Sequence, residues 1–291
     1  MKVISIIIPS RNEGAMLQKT VDSFLKTKSH FFTEIIIVND GSTDSSTTFL
    51  QSQKYKLENL RLFNTGGIGL ARAKNLGASR ALGDILVFSD AHIKVKPDWL
   101  DIIIKSFDIP KLDAVTPGIG SFDPGSSTGY GQNWDADLQI QWLPQPQDIS
   151  PVPLAPGGFT AIKKVVFNNV GGFDPDFRSF GFEDVELSLR LWLFGYRIYT
   201  NPFVRVKHLF RKELPYHVPP IDYFYNFLRM AFSHFNLKRI NKSIKLIRNC
   251  VNFERVISEL VLSDVREQRK KYLKRRKHSD DWFMDKFNIP F

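Results

Sequence analysis

The sequence predicts an α/β fold, a mixed, mostly parallel sheet flanked by helices, and three observations predict it. Apolar β-branched runs such as Val3–Ile8 and Glu34–Val38 are continuous rather than alternating, the pattern of strands covered on both faces. Longer amphipathic stretches separate them, as strand–helix–strand units require. Polar clusters follow the runs directly, at the strand ends where open α/β sheets bind ligands.

Val3–Ile8 reads as the first strand and Gly14–Lys26 as the helix after it. Glu34–Val38 is the second strand, ending at Asn39-Asp40-Gly41. Asp44–Gln51 is expected to be helical, with Asp44 as its N-cap. Leu60–Phe63 is a short strand, Gly69–Leu82 a helix and Asp84–Ser89 a strand. Pro97–Phe107 is a helix with proline in its first turn, and Asp113–Thr116 a further strand. From Pro117 to Pro156 periodicity is lost and Gly, Pro, Ser, Gln and Trp dominate; so long a loop in a compact domain is functional or mobile. Trp134 and Trp142 within it either pack it down or offer a platform to a sugar or peptide. Order returns at Gly157-Gly158 and the run to Ile162. A helix follows from Lys163, a second covers Glu183–Phe194, and strands lie at Tyr196–Thr200 and Val204–Val206. Beyond Pro220 the chain reads as helical to about Lys277, and it is basic from Arg266 onward. The expected division is a domain over residues 1–215 and a helical C-terminal extension over residues 216–291.

With 291 residues, 43% hydrophobic and 24% charged, the chain is long enough to bury a large core. Its formal net charge of +10 is read either as a solvated basic surface or as a preference for anionic partners: nucleotides, nucleic acid or acidic lipid. The single cysteine, Cys250, excludes an internal disulfide framework, suits a reducing compartment and reads as a small core residue. The apolar run before Pro9 is too short for a signal core or a membrane span, and no other stretch reaches roughly 18 apolar residues. The expected location is cytoplasmic.

Three polar clusters end strands: Pro9-Ser10-Arg11-Asn12-Glu13, Asn39–Asp44 and Ser89-Asp90-Ala91-His92. Such loops suit a phosphorylated ligand, because backbone N–H groups and helix starts attract anions. Turn and cap chemistry explains one cluster alone, and explains three on one edge less well. Asp90 and His92, joined by His208 from another strand end, offer one carboxylate and two imidazoles. That set suits Mn²⁺ or Zn²⁺, whereas an all-oxygen shell would favour Mg²⁺ or Ca²⁺. A cation bridging two phosphates would offset leaving-group charge. Gly66-Gly67-Ile68-Gly69 follows the third strand, not the first, and so does not read as a dinucleotide turn. It is expected to open a helix that carries Arg72, Lys74 and Asn75 toward the ligand. Glu183, Asp184 and Glu186 crowd another helix start, either as macrodipole partners or with one acid as the base for an acceptor hydroxyl.

Taken in order, these segments resemble the family 2 glycosyltransferases of the nucleotide-sugar-binding GT-A fold. The resemblance spans roughly residues 3 to 211. It runs through Ile-Pro-Ser-Arg-Asn-Glu from Ile8, Val-Asn-Asp-Gly-Ser-Thr-Asp from Val38, Ala-Arg-Ala-Lys-Asn-Leu-Gly from Ala71 and the stretch from Gly83 to His92. It continues through Gly157-Gly158, Gly171-Gly172-Phe173-Asp174 and Gly181-Phe182-Glu183-Asp184. Within that fold the chain is most similar to the polypeptide N-acetylgalactosaminyltransferases, which carry an Asp-x-His motif and a later His-x-Phe-Arg, here Asp90, His92, His208 and Arg211. Lys212, Pro215 and Tyr216 extend the likeness into a loop that closes on the donor in that family. The chain departs from those enzymes in its expected lack of a secretory anchor and a lectin domain. It also has Glu183-Asp184 where they have Glu-Asn.

The resemblance implies that Pro9, Arg11 and Glu13 line a nucleoside pocket and that Asp40 accepts from the uracil N3–H. Arg72 or Lys74 would approach the nucleotide, Asp90 would contact ribose or metal, and His92 and His208 would complete the metal shell. Gly157 and Gly158 would let the sugar approach the backbone closely, and Arg211 and Lys212 would hold the diphosphate. The expected activity is transfer of a hexosyl or N-acetylhexosaminyl group from a UDP-sugar, dependent on Mn²⁺ more than Mg²⁺. The acceptor would be a hydroxyl, or a thiol, on a peptide, a glycan or a lipid-linked sugar. The acid pair marks inverting family 2 enzymes and implies inversion, with Asp184 as base beside Glu183. The alternatives are a retaining polypeptide N-acetylgalactosaminyltransferase-like enzyme and a nucleotide-sugar-binding protein without turnover. The basic C-terminal helix reads as solvated, as a peripheral contact with the inner membrane face, or as a seat for an acidic peptide. No nucleic-acid partner is expected, since no recognition module accompanies the charge.

Overall fold

Alternation within the first strand sets the layers of the molecule. In β1 (Val3–Ser10), Ile4, Ile6 and Ile8 enter one apolar cluster and Ile7 enters another, on the opposite face of the sheet. We describe residues 3–291 of a computed structural model. After β1 come α1 (Ala15–Leu25), β2 (Phe32–Asp40), β3 (Leu60–Thr65), α2 (Leu70–Arg80), β4 (Ile85–Ser89), β5 (Ile93–Lys94), α3 (Trp99–Lys105) and β6 (Ala114–Ser121). The irregular middle holds only short strands: β7 (Thr128–Gly129), β8 (Gln132–Trp134), β9 (Ile140–Trp142) and β10 (Ser150–Pro151). Then follow β11 (Phe159–Lys163), α4 (Lys164–Val170), α5 (Glu183–Leu193) and β12 (Ile198–His208). The chain ends in α6 (Pro220–His234), α7 (Leu237–Ile247), α8 (Phe253–Val261), α9 (Val265–Arg275) and α10 (Asp280–Lys286).

The main sheet runs in the order β10-β12-β6-β11-β4-β1-β2-β3, with β5 added to β12 and β7 to β6. From β4 to β3 neighbours are parallel, as are β6 and β12. β11 is inserted antiparallel between β4 and β6. Helices α1 and α3 cover one face through Leu17, Val21, Phe24, Leu100 and Ile103. On the other face α2, α4 and α5 share a single core with the C-terminal helices, whose Phe227, Leu228, Met230, Phe235 and Phe283 join Leu187, Leu191 and Phe173. Residues 216–291 are thus a further layer on the same core.

Two expectations change. Asp44–Gln51 is not an α-helix; only Thr48–Gln51 closes a 3₁₀ turn. The Asp44 carboxylate accepts from Gly14 N (2.9 Å) and Ser46 N (3.0 Å), and so ties two strand-end loops together instead of capping a helix. The Ser and Thr hydroxyls around it compete for the backbone groups a helix would use. The strands expected at 196–200 and 204–206 form one strand, β12, whose register against β6 shifts between Asn201 and Arg205. The bulge absorbs Pro202 and the facing Pro117, which lets β6 run on to Ser121. The long loop is packed down by Trp134, which is buried against Phe235 and Phe283. Among the described residues no helix is long and apolar enough to cross a membrane.

Candidate functional site

Five chain segments meet at one edge of the sheet. β1, β2 and β4 deliver their C-terminal ends, and β12, parallel to β6, delivers its own. β11 runs the other way, so its N-terminal approach, Gly157-Gly158, arrives at the same edge opposite the end of β4. The backbone N–H of Asp90 donates to Gly158 O at 3.0 Å, and Leu209 N donates to His92 O at 3.1 Å. β5 pairs His208 with Ile93, next in sequence to His92. That ladder brings together groups 116 positions apart in the chain.

Asp90, His92 and His208 each offer a ligand atom, all within 4.8 Å of one another. Asp90 Oδ2 lies 3.0 Å from His208 Nε2 and 3.7 Å from His92 Nε2. One carboxylate oxygen and two imidazole nitrogens fit a borderline divalent cation such as Mn²⁺ or Zn²⁺. The other ring nitrogen of His92, Nδ1, lies 3.1 Å from Glu13 Oε2, which also accepts from Arg211 Nη2 at 2.7 Å. A carboxylate behind a ligating imidazole fixes its tautomer and ring orientation. Burial works against charge on Asp90. The His208 hydrogen bond and the charges of His92, His208 and Lys74 nonetheless hold its carboxyl well below the usual range. Burial likewise lowers His92, and the Glu13 hydrogen bond with the charges of Asp90 and Glu13 more than restores it, so its pKa is raised.

The cleft around these groups has two adjoining lobes of about 230 and 310 Å³. The first is lined by Pro9, Arg11, Glu13, Asp40, His92, Arg211 and Tyr216, together with Ser10 and Phe180. Ser10 Oγ, Arg11 Nε and Arg211 Nη1 are buried there with no hydrogen-bond partner among the described residues. Buried donors left unpaired are costly, and an anionic ligand would satisfy them. The Arg11 guanidinium sits over the Tyr216 ring at 5.1 Å, so the segment after β12 covers this lobe. Asp40 accepts from Thr65 Oγ1 and Ile68 N, both at 2.6 Å, and from Gly69 N at 2.9 Å. The glycine turn therefore grips Asp40.

The second lobe is lined by Asp90, His208, Gly157, Gly158, Lys74, Glu183 and Asp184. Lys74 donates to Glu183 Oε1 at 2.9 Å, and both side chains are buried. Asp184 Oδ2 accepts from Gly157 N at 2.6 Å and Oδ1 from Val185 N at 2.8 Å. Burial first, and the charge of Glu183 second, push its carboxyl up to about 6. A Cβ on Gly157 would lie 2.7 Å from Asp184 Oδ2, and one on Gly158 would lie 3.1 Å from His208 Cδ2. Both glycines are there because side chains already fill the space.

Three residues expected at the site lie elsewhere. Arg72 donates from Nε to Pro175 O at 2.5 Å and faces Asp176, outside both lobes. It is two positions from Lys74, about 200° around a helix, so α2 cannot aim both at one ligand. Lys212 is exposed and lines neither lobe, one step beyond the Arg211–Glu13 ion pair that pins the chain. Asn75, expected to face the ligand, instead bonds the backbone of Phe173. Sequence reasoning left Tyr223 of α6 out of the site, although it lines the second lobe. It belongs to the extension, and nothing local marks it. Trp142 lines the same lobe, edge-on to Phe210.

The profile of Glycosyl transferase family 2 matches residues 5–186. Polypeptide N-acetylgalactosaminyltransferase 8 of Drosophila melanogaster is 33% identical over 224 residues, which is 72% of this chain and 38% of the relative. Polypeptide N-acetylgalactosaminyltransferase 10 of Rattus norvegicus is 29% identical over 234 residues, 74% of this chain and 39% of the relative. The chain thus spans about two fifths of the length of these curated relatives. The crystal structure of GalNAc-T7 with UDP, GalNAc and Mn²⁺ superposes with a TM-score of 0.79 at 20% identity, covering 99% of this chain and 57% of that one, and so shares its fold. With the GT-A architecture and the ordered strand-end motifs, these matches establish that the chain belongs to glycosyl transferase family 2.

Proposed function

We propose that this chain transfers an N-acetylhexosaminyl or hexosyl group from a UDP-sugar to a hydroxyl of a peptide, with Mn²⁺ held by Asp90, His92 and His208. The observation that carries the reading is the meeting of those three groups between a lobe of unpaired donors and a lobe floored by two glycines. The relatives support the donor and acceptor classes: they are polypeptide N-acetylgalactosaminyltransferases, and the GalNAc-T7 structure holds UDP, GalNAc and Mn²⁺. When bound, the cation supplies Lewis-acid charge against the diphosphate.

The residues divide the remaining work. Pro9, Arg11 and Asp40 bind the nucleoside, and Asp40 Oδ2 keeps a lone pair beside its single bond to Gly69 N. Arg11 and Arg211 offset the charge that gathers on the diphosphate as its bond to the anomeric carbon breaks, the acceptor oxygen takes its place and the acceptor proton passes to the departing diphosphate oxygen. Glu13 orients His92. The Lys74–Glu183 pair presents a fixed carboxylate to the sugar lobe, and Gly157 and Gly158 allow the sugar to lie on the backbone.

Retention is better supported than inversion with Asp184 as base. The resemblance associates retention with the relatives' group, and both Asp184 oxygens are engaged by backbone N–H groups, Oδ2 by Gly157 and Oδ1 by Val185. The test is a panel of UDP-sugars with acceptor peptides, with and without Mn²⁺, read by NMR of the product anomer. The reading expects Mn²⁺-dependent transfer and an α-linked product from an α-linked donor. A β-linked product would restore Asp184 as base, and no transfer from any UDP-sugar would overturn the proposal.

A further inference from the structure

We propose that Asn226, on α6 and outside the segment matched by the family profile, is the positioning residue of the cleft. Its carboxamide holds residues 178–182 in the one geometry that delivers Phe180, Glu183 and Asp184 to the site. The inference rests on the transferase reading for its kinetic consequence and on geometry alone for its structural one.

The segment between Asp176 and α5 is unusual backbone. Ser179, Gly181 and Phe182 have φ of 29°, 102° and 68°, a left-handed region that residues with a Cβ seldom occupy. Such a conformation persists only where its surroundings over-determine it. Here they do. Asn226 is completely buried. Its Oδ1 accepts from Arg178 N at 2.8 Å, and its Nδ2 donates to Arg178 O at 2.8 Å, Gly181 O at 2.9 Å and Phe180 O at 3.2 Å. One side chain thus serves four backbone groups of Arg178, Phe180 and Gly181 in a segment outside any strand or helix, and without it the buried Gly181 carbonyl and the part-buried carbonyls of Arg178 and Phe180 would lose that partner.

The rest of the same helix face completes the mould. One turn earlier, the Asp222 carboxylate accepts from Ser179 Oγ. The Tyr223 ring lies where a Cβ on Gly181 would come within 3.0 Å, and Phe182 packs against Tyr223 and Phe227 at ring separations of 4.8 and 5.3 Å. The held segment passes its order on: Ser179 O accepts from Leu70 N at the start of α2, and Phe182 O accepts from Glu186 N in the first turn of α5. Those two helix starts carry Lys74 and its partner Glu183, and Asp184 beside it. The extension therefore sets the geometry of the second lobe from behind.

The experiment compares Asn226→Ala and Asn226→Asp with Val256→Ala. Val256 is fully buried in α8 and makes none of the Asn226 hydrogen bonds, and its loss weakens the same core. Asp at 226 keeps the acceptor but sets a second oxygen against three carbonyls, so it should behave like Ala. Hydrogen exchange is read first, below the melting temperature of every variant. Both Asn226 variants should exchange the amides of residues 178–183 at least about tenfold faster than wild type, and Val256→Ala should not. In turnover, both should lower kcat about 100-fold, the scale of a misplaced catalytic group, while UDP affinity in Mn²⁺ changes far less. Unchanged exchange in the Asn226 variants overturns the proposal whatever the activity. Faster exchange with undiminished kcat, or an equal kcat loss in Val256→Ala, overturns the positioning role. If wild type transfers no sugar but the exchange result holds, the transferase reading fails and the structural role of Asn226 stands.

Discussion

Asp184 is a half-buried acid beside a buried one, Glu183, and that arrangement has a measurable consequence. Its carboxyl titrates near 6 in the folded chain, above the ordinary value of 3.8. The folded state therefore holds the proton more tightly than the unfolded state between about pH 4 and 6, and stability contributed by this group is lost as pH rises through that window. The shift corresponds to about 3 kcal/mol at most. Asp184→Asn should remove this dependence, so the melting temperature of the variant relative to wild type should climb from pH 4 to 6.5; a flat difference would contradict the assigned environment. Glu13→Gln tests the support behind His92: Mn²⁺ affinity measured by calorimetry should fall about 10- to 100-fold. At this scale the sequence was legible where chemistry stands at a strand end. Asp90, His92, Arg11 and Asp40 follow apolar runs directly, and the sheet edge gathers them. It was not legible where a helix rotates a side chain, as for Arg72, or where an ion pair a residue earlier already anchors the loop, as for Lys212.

Elements meet closely where glycine replaces a side chain. A Cβ on Gly77 of α2 would lie 2.4 Å from Ile7 Cγ2 in β1. Gly77→Ala should therefore destabilise the chain by about 1–3 kcal/mol through overpacking, read by urea denaturation. At Gly158 the added Cβ meets His208 Cδ2 at 3.1 Å and Asp90 Oδ2 at 3.3 Å, so Gly158→Ala should weaken Mn²⁺ binding with little effect on melting. Strong melting loss with unchanged Mn²⁺ affinity would place the strain in the fold rather than at the ligands. The parallel strands β1, β2 and β4 were legible because burial on both faces makes them continuous apolar runs. The antiparallel insertion of β11 was not, since direction leaves no mark on a five-residue strand. The bulge that joins two expected strands into β12 was hidden by Pro202, which reads as a break but lies where the ladder is already interrupted.

Across the whole molecule, the C-terminal helices are inseparable from the sheet. Phe227, Leu228 and Phe235 share one core with Leu187 and Leu191 of α5, and Arg229 reaches across to Asp174 with bonds of 2.7 and 3.1 Å, both side chains fully buried. A chain ending at residue 215 would expose that apolar face and strip Asp174 of its Arg229 and Gln268 partners. It should be recovered only as aggregate, and a monomeric truncation with a cooperative melt would show the layers to be independent. Periodicity announced those helices, but their role behind the cleft depends on packing between residues far apart in sequence. The proposed cation site depends on His208, which the sheet brings to Asp90 and His92. The most direct test is calorimetric titration of Mn²⁺ into the chain saturated with UDP. One tight site per chain is expected, weakened more than about tenfold in His208→Ala; equal affinity in wild type and His208→Ala would contradict the account.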